Sequence, residues 1–123
     1  MQDDRLLDFA QRYTAAWCSL VAASVAAFFA TDGELAINDG APAVGRQAIT
    51  EVAQSFMTAF PDLRVVMDKV LLKGDHTEYH WTLTGANTGP GGTGHRVRIG
   101  GYELWQFGPD GLIAQSLGYF SHG

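Results

Sequence analysis

One cysteine, Cys18, in a chain of 123 residues excludes an internal disulfide. Its Ala, Trp and Leu neighbours supply no cation to activate a thiolate, so Cys18 is expected to pack as a small core residue. Basic side chains are also few. Eight Arg and Lys against thirteen Asp and Glu give a net charge of −5, and the eight are scattered from Arg5 to Arg98. Phosphate binding needs clustered positive charge, so no nucleic-acid partner is expected. A long membrane-spanning run is missing too. Tyr13 to Thr31 carries no charge, but it is rich in Ala and Ser, and Asp3, Asp4 and Asp8 stand before it where an export signal has a basic leader. Two buried helices in a cytoplasmic protein, with no membrane partner, are the expectation. No repeat, linker or low-complexity stretch divides the chain. Its 46% hydrophobic content suffices for one core, so residues 1–123 are expected to form one domain.

What is present is first helical and then extended. Leu6, Phe9, Ala10, Tyr13, Trp17, Leu20 and Val21 recur at helical spacing, and the pattern runs on through Val25, Phe28 and Phe29 to Thr31-Asp32-Gly33. Spacing alone leaves open whether this is one helix or two. A short strand, Glu34 to Ile37, meets the turn Asn38-Asp39-Gly40. After Gly45 the stripe Ile49, Val52, Ala53, Phe56 and Phe60 predicts a helix that Pro61 ends. From Leu63 onward the chain reads as strands: Leu63 to Lys73, His76 to Thr84, Val97 to Phe107 and Leu112 to Phe120, separated by glycine-bearing turns. Alternation puts Tyr79, Trp81 and Leu83 on one face, against the helices, and His80, Thr82 and Thr84 on the other. Helices followed by a meander imply an α+β fold with the helices on one face of the sheet.

Chemistry-bearing motifs are sparse. Residues 89–94 spell G-x-G-x-x-G, but between two strands rather than at the start of a helix, so no dinucleotide cofactor is expected. His76, Glu78 and His80 alternate along one strand without a further ligand nearby, so a polar row is expected there and no metal. His95 and His122 fall in a turn and at the terminus, and no nucleophile elbow accompanies them. The aromatic residues are more informative. Tyr13, Trp17, Phe56, Phe60, Trp81, Trp105, Tyr119 and Phe120 fall on inward stripes, and Tyr or Trp at the open end of such a core gives a pocket an apolar wall with a polar tip.

Several phrases resemble the SnoaL-like (polyketide cyclase-like) branch of the nuclear-transport-factor-like superfamily. They are Phe28-Phe29-Ala30-Thr31-Asp32-Gly33, Val44-Gly45-Arg46-Gln47-Ala48-Ile49, Phe60-Pro61-Asp62-Leu63, Trp81-Thr82-Leu83-Thr84-Gly85 and Asp110-Gly111-Leu112-Ile113. The resemblance spans nearly the whole chain. It implies a cone-shaped fold in which three N-terminal helices close one face of a strongly curved antiparallel or mixed sheet around a pocket, with a helical break near Ser19 to Ala22. It also implies a homodimer joined through the outer sheet face. In the cyclases a histidine follows the strand phrase and the last strand carries an acid, a tryptophan and a terminal aspartate. Here Asn87 stands for the histidine, and Gln115, Leu117 and Ser121 stand for the other three.

A serine without an adjacent base cannot shuttle a proton as a carboxylate in an apolar pocket can, so the cyclase mechanism does not carry over. The expected pocket comprises Tyr13, Trp17, Phe56, Phe60, Trp81, Asn87, Gln115, Leu117, Tyr119 and Ser121. Its expected ligand is a small apolar, carbonyl-bearing or polyketide-like molecule, bound without cofactor or metal. Two other readings stand beside this one. The first is a cyclase- or isomerase-type acid/base enzyme using Asp39 with Asn87 and Tyr119. The second is a non-catalytic dimerisation module.

Overall fold

Spacings of three and four bring Leu6, Phe9, Ala10, Tyr13 and Trp17 to one side of a helix. In the computed structural model, which describes residues 4–120, that helix is α1 (Asp4–Cys18). The helical run then breaks. Leu20 adopts a left-handed backbone with φ 61°, and the Ser19 hydroxyl closes the turn by donating to Ala16 O and accepting from Val21 N. A second helix of one turn, α2 (Ala22–Ala26), follows. The strand after it begins earlier than the periodicity suggests. Phe28 and Phe29 do not prolong the helix, and β1 runs from Phe29 to Ile37 straight through Thr31-Asp32-Gly33. Gly33 permits this passage, because a Cβ there would lie 2.8 Å from the Ile113 carbonyl oxygen of a neighbouring strand.

A two-residue strand not visible in the sequence pattern, β2 (Ala43–Val44), precedes α3 (Arg46–Ala59), which stops before Pro61. The remaining strands are β3 (Arg64–Lys73), β4 (His76–Ala86), β5 (Arg96–Phe107) and β6 (Ile113–Phe120). Together they form one six-stranded mixed sheet in the order β2-β1-β6-β5-β4-β3. Only β1 and β6 pair in parallel; every other neighbouring pair is antiparallel. The architecture is α+β.

Registers fix which side chains share a face. Tyr79 pairs with Glu103, Trp81 with Gly101 and Leu83 with Ile99, and on the other side of β5 Glu103 pairs with Gly118 and Trp105 with Ser116. All of these point toward the helices. Tyr79 and Trp105 stack at 4.7 Å, and Phe9 and Tyr13 of α1 meet Trp105 edge-on. Tyr13, Tyr79 and Trp105 are almost fully buried, and this aromatic group anchors α1 to the sheet centre.

Cys18 is not a core residue. Its side chain is exposed at the end of α1, where the thiol donates to Val65 O at 3.2 Å and accepts from Val65 N at 3.3 Å. Because β3 is an edge strand, this contact occupies a backbone pair that no strand covers.

Candidate functional site

The inward faces of sheet and helices do not close completely. Between them lies a cavity of about 70 Å³. Trp17 from α1, Val52 and Phe56 from α3, and Phe60 beyond it form the helical side. Leu35, Ile37, Val65, Trp81, Leu83 and Phe120 are among the sheet residues opposite. Phe56 contacts both Trp17 and Phe120 edge-on at 6.1 Å, so the rings brace one another around the space. Gly118 on β6 has no side chain to fill it, and a Cβ there would meet only ordinary contacts at 3.7 Å or more.

The lining is apolar except at a few points, of which Glu103 is chemically the strongest. This carboxyl is buried, with 7% of the residue exposed, on the inward face of β5. Three donors converge on it: Trp105 Nε1 at 2.8 Å, Ser116 Oγ at 2.8 Å and Tyr13 Oη at 3.0 Å, all reaching Oε1, with Tyr13 also 3.2 Å from Oε2. Burial pushes the carboxyl above its ordinary pKa, against the pull of the Trp105, Ser116 and Tyr13 hydrogen bonds. Desolvation, and then the nearby Glu103 charge, hold the Tyr13 phenol protonated well above its usual range. Tyr79, also raised mainly by burial, bonds Thr14. Oε1 therefore has its partners within the chain, whereas Oε2 keeps capacity for another hydrogen bond.

Of the residues predicted from sequence, the fold brings Trp17, Phe56, Phe60 and Trp81 to this cavity. Tyr13 is not on its wall. It sits in the aromatic core behind, reaching the cavity only through Glu103. Gln115, Leu117 and Tyr119 face the other way, because β6 alternates and Ser116, Gly118 and Phe120 take the inward positions. Ser121 and His122 lie outside the described residues. Asn87 follows the end of β4, where its backbone N–H donates to His95 O and closes the β4–β5 turn. Asp39 is exposed and accepts from Tyr119 Oη at 2.9 Å. Tyr119 sits at the level of His80, since both pair with Tyr102. Asn87 is seven residues farther along, or about 23 Å of strand. The set Asp39, Asn87 and Tyr119 thus does not converge on one point.

Asp39 and Tyr119 instead lie beside an open groove lined by Asn38, Asp68, Lys69, His80, Tyr102 and Tyr119 among others. The remaining motifs settle as local structure. His80 Nε2 pairs with Glu78 at 3.1 Å, and no group that could hold a metal ion occurs among the described residues. Gly89 to Gly94 is a hairpin loop, with Gly91 and Gly94 at positive φ.

Glu103 escaped the sequence reading although a signal existed. Trp105 falls on an inward stripe, and the residue two positions before it on the same strand must share its face. An acidic residue at a core position of a β-strand is the anomaly to look for.

Residues 10–116 match the SnoaL-like domain family. No curated protein matches the chain significantly. Among solved structures, a SnoaL-like polyketide cyclase candidate from Jannaschia superposes with a TM-score of 0.83 at 17% identity, covering 98% of this chain and 92% of its own. A hypothetical protein from Catenulispora acidiphila with a ketosteroid isomerase-like fold, solved with trimethylamine, gives 0.80 at 20% identity, covering 92% and 85%. AclR, a hydroxylase candidate from Streptomyces galilaeus, gives 0.80 at 18%, covering 98% and 81%. At these identities the likeness is one of fold.

Proposed function

Because the chain belongs to the SnoaL-like domain family, we propose that it binds a small, largely apolar, carbonyl-bearing molecule in the cavity between α3 and the sheet. The observation that carries this reading is the combination of an apolar wall with one buried carboxyl, Glu103, whose Oε2 has bonding capacity left. Apolar burial supplies affinity and the few polar groups set orientation. With its pKa raised, Glu103 in the neutral form donates a hydrogen bond, which suits a ligand carbonyl.

The test is a thermal-shift screen of small ketones and polyketide-like compounds against the wild type and Gly118→Val. A ligand at 100 times its Kd stabilises by about 2.7 kcal/mol, which is a shift of several degrees. Gly118→Val fills the space from a strand position that favours β-branched residues, so the variant should fold and lose the shift. No shift from any compound, or an equal shift in both proteins, would sink the proposal.

A second reading, an acid/base cyclase or isomerase, is favoured by the same carboxyl rather than by Asp39 with Asn87 and Tyr119. On that reading Glu103→Gln should lower turnover of a bound substrate by about 10²- to 10⁴-fold with binding retained. We further propose a homodimer through the outer sheet face, opposite the cavity.

A further inference from the structure

Among the described residues, one buried side-chain nitrogen or oxygen has no hydrogen-bond partner: the indole Nε1 of Trp81. Native proteins rarely leave such a donor unpaired, and each case calls for an explanation. Trp81 borders the cavity. Its ring lies over Gly101, where a Cβ would stand 2.5 Å from Trp81 Cζ2. Cζ2 and Nε1 are both bonded to Cε2, so the nitrogen-bearing edge turns toward β5 and β6, where Glu103, Gly118 and Phe120 line the same space. Trp105 contrasts with it, since its Nε1 is committed to Glu103. Trp81 pairs directly with Gly101 and therefore stands diagonally from Glu103, about 7–8 Å away. Trp81, which borders both the cavity and the open groove, thus places an unpaired donor, buried by its neighbours, on the same sheet face as the Glu103 carboxyl.

We propose that Trp81 Nε1 donates to an acceptor oxygen of the bound molecule, making Trp81 a specificity-determining residue that selects a carbonyl or ether oxygen on its side of the cavity. This rests on the small-molecule reading above. Cyclohexanone and methylenecyclohexane are suitable probes, because they share a shape and differ in replacing C=O by C=CH2. They are titrated into protein carrying ¹⁵N-tryptophan, with Trp81→Phe identifying the Trp81 indole signal, and into protein with 3-benzothienylalanine at position 81, which keeps the bicyclic ring but replaces N–H by sulfur.

Cyclohexanone should move the Trp81 N–H resonance downfield, and its affinity should fall roughly tenfold on sulfur replacement, the worth of one hydrogen bond. Methylenecyclohexane affinity should be unchanged by that replacement. Binding of both probes with equal sensitivity to the sulfur replacement, or with no movement of the Trp81 signal, overturns the inference while leaving the cavity as the ligand site. If neither probe at millimolar concentration perturbs the Phe56 and Phe120 signals, both the inference and the small-molecule reading fall.

Discussion

Glu103 concentrates the electrostatic cost of this fold in one side chain. Its folded pKa is raised, so its contribution to stability is fully present below the unfolded value of about 4.3 and is lost as pH rises through the folded value. Glu103→Gln keeps an acceptor for Trp105, Ser116 and Tyr13 but cannot ionise. In paired urea titrations at pH 5 and pH 8, the wild type should therefore lose stability relative to Glu103→Gln on going to the higher pH. The other shifted carboxylates, exposed Asp62 and Asp75 and half-buried Glu78, cancel in that difference. Equal slopes would mean that Glu103 does not titrate differently in the two states. Glu103→Leu is a harsher change. It strands three buried donors, and at about 1–3 kcal/mol each the loss should exceed about 3 kcal/mol. At this scale the sequence was legible where alternation is regular: Tyr79, Trp81 and Leu83 face inward as the pattern predicts. It misleads at Gln115, Leu117 and Tyr119, because the resemblance fixes only the terminal residue, whereas the cross-strand partners set the face.

Strand β5 carries two consecutive glycines that do different things. At Gly101 a Cβ would approach the Tyr119 carbonyl oxygen and Trp81 Cζ2 to 2.5 Å each and Phe120 Cβ to 2.9 Å, and the backbone oxygen cannot swing away. Gly101→Ala should therefore destabilise by about 1–3 kcal/mol through overpacking. At Gly100 the nearest atom to such a Cβ is Trp81 O at 4.0 Å, so Gly100→Ala should be neutral or mildly stabilising. Denaturant midpoints for the two variants check this, and a reversed order would show that Trp81 does not lie over Gly101. Most element types and boundaries could be read from periodicity, with α3 and strands β3 to β6 falling within a few residues of their expected limits. The misreadings have local causes. Phe28 and Phe29 continue a helical spacing by coincidence, but Phe28 packs from the turn after α2 and Phe29 from β1, and two-residue β2 is too short to show a period. Leu20 occupies a left-handed turn that sequence would assign to Gly or Asn, with Ser19 supplying the missing hydrogen bonds.

The chain uses the two faces of one sheet differently. Its inner face is covered by helices and holds Glu103, whereas its outer face has no helix over it among the described residues and still carries apolar side chains. Leu104 pairs with Leu117 and Tyr102 with Tyr119 at its centre, Tyr102 is 37% exposed, and Val66 on β3 is 59% exposed. Glu34, Lys69 and Arg98 lie on the same face by alternation, around those apolar pairs. An apolar centre with a charged rim fits a self-complementary contact about a two-fold axis, in which Leu104 and Leu117 would meet their own copies. The helix-then-sheet order made the two-sided arrangement legible from sequence, but the composition of the outer centre depended on the β6 register and so was not. The expected outcome is a dimer in multi-angle light scattering at micromolar concentration, and a single-chain mass for Leu104→Glu with its far-UV circular dichroism unchanged. Because Leu104 points away from the cavity, the variant should still show the ketone-induced thermal shift. A wild type that runs as one chain contradicts the dimer. A monomeric variant that also loses the shift would instead mean that the cavity needs the partner to keep its shape.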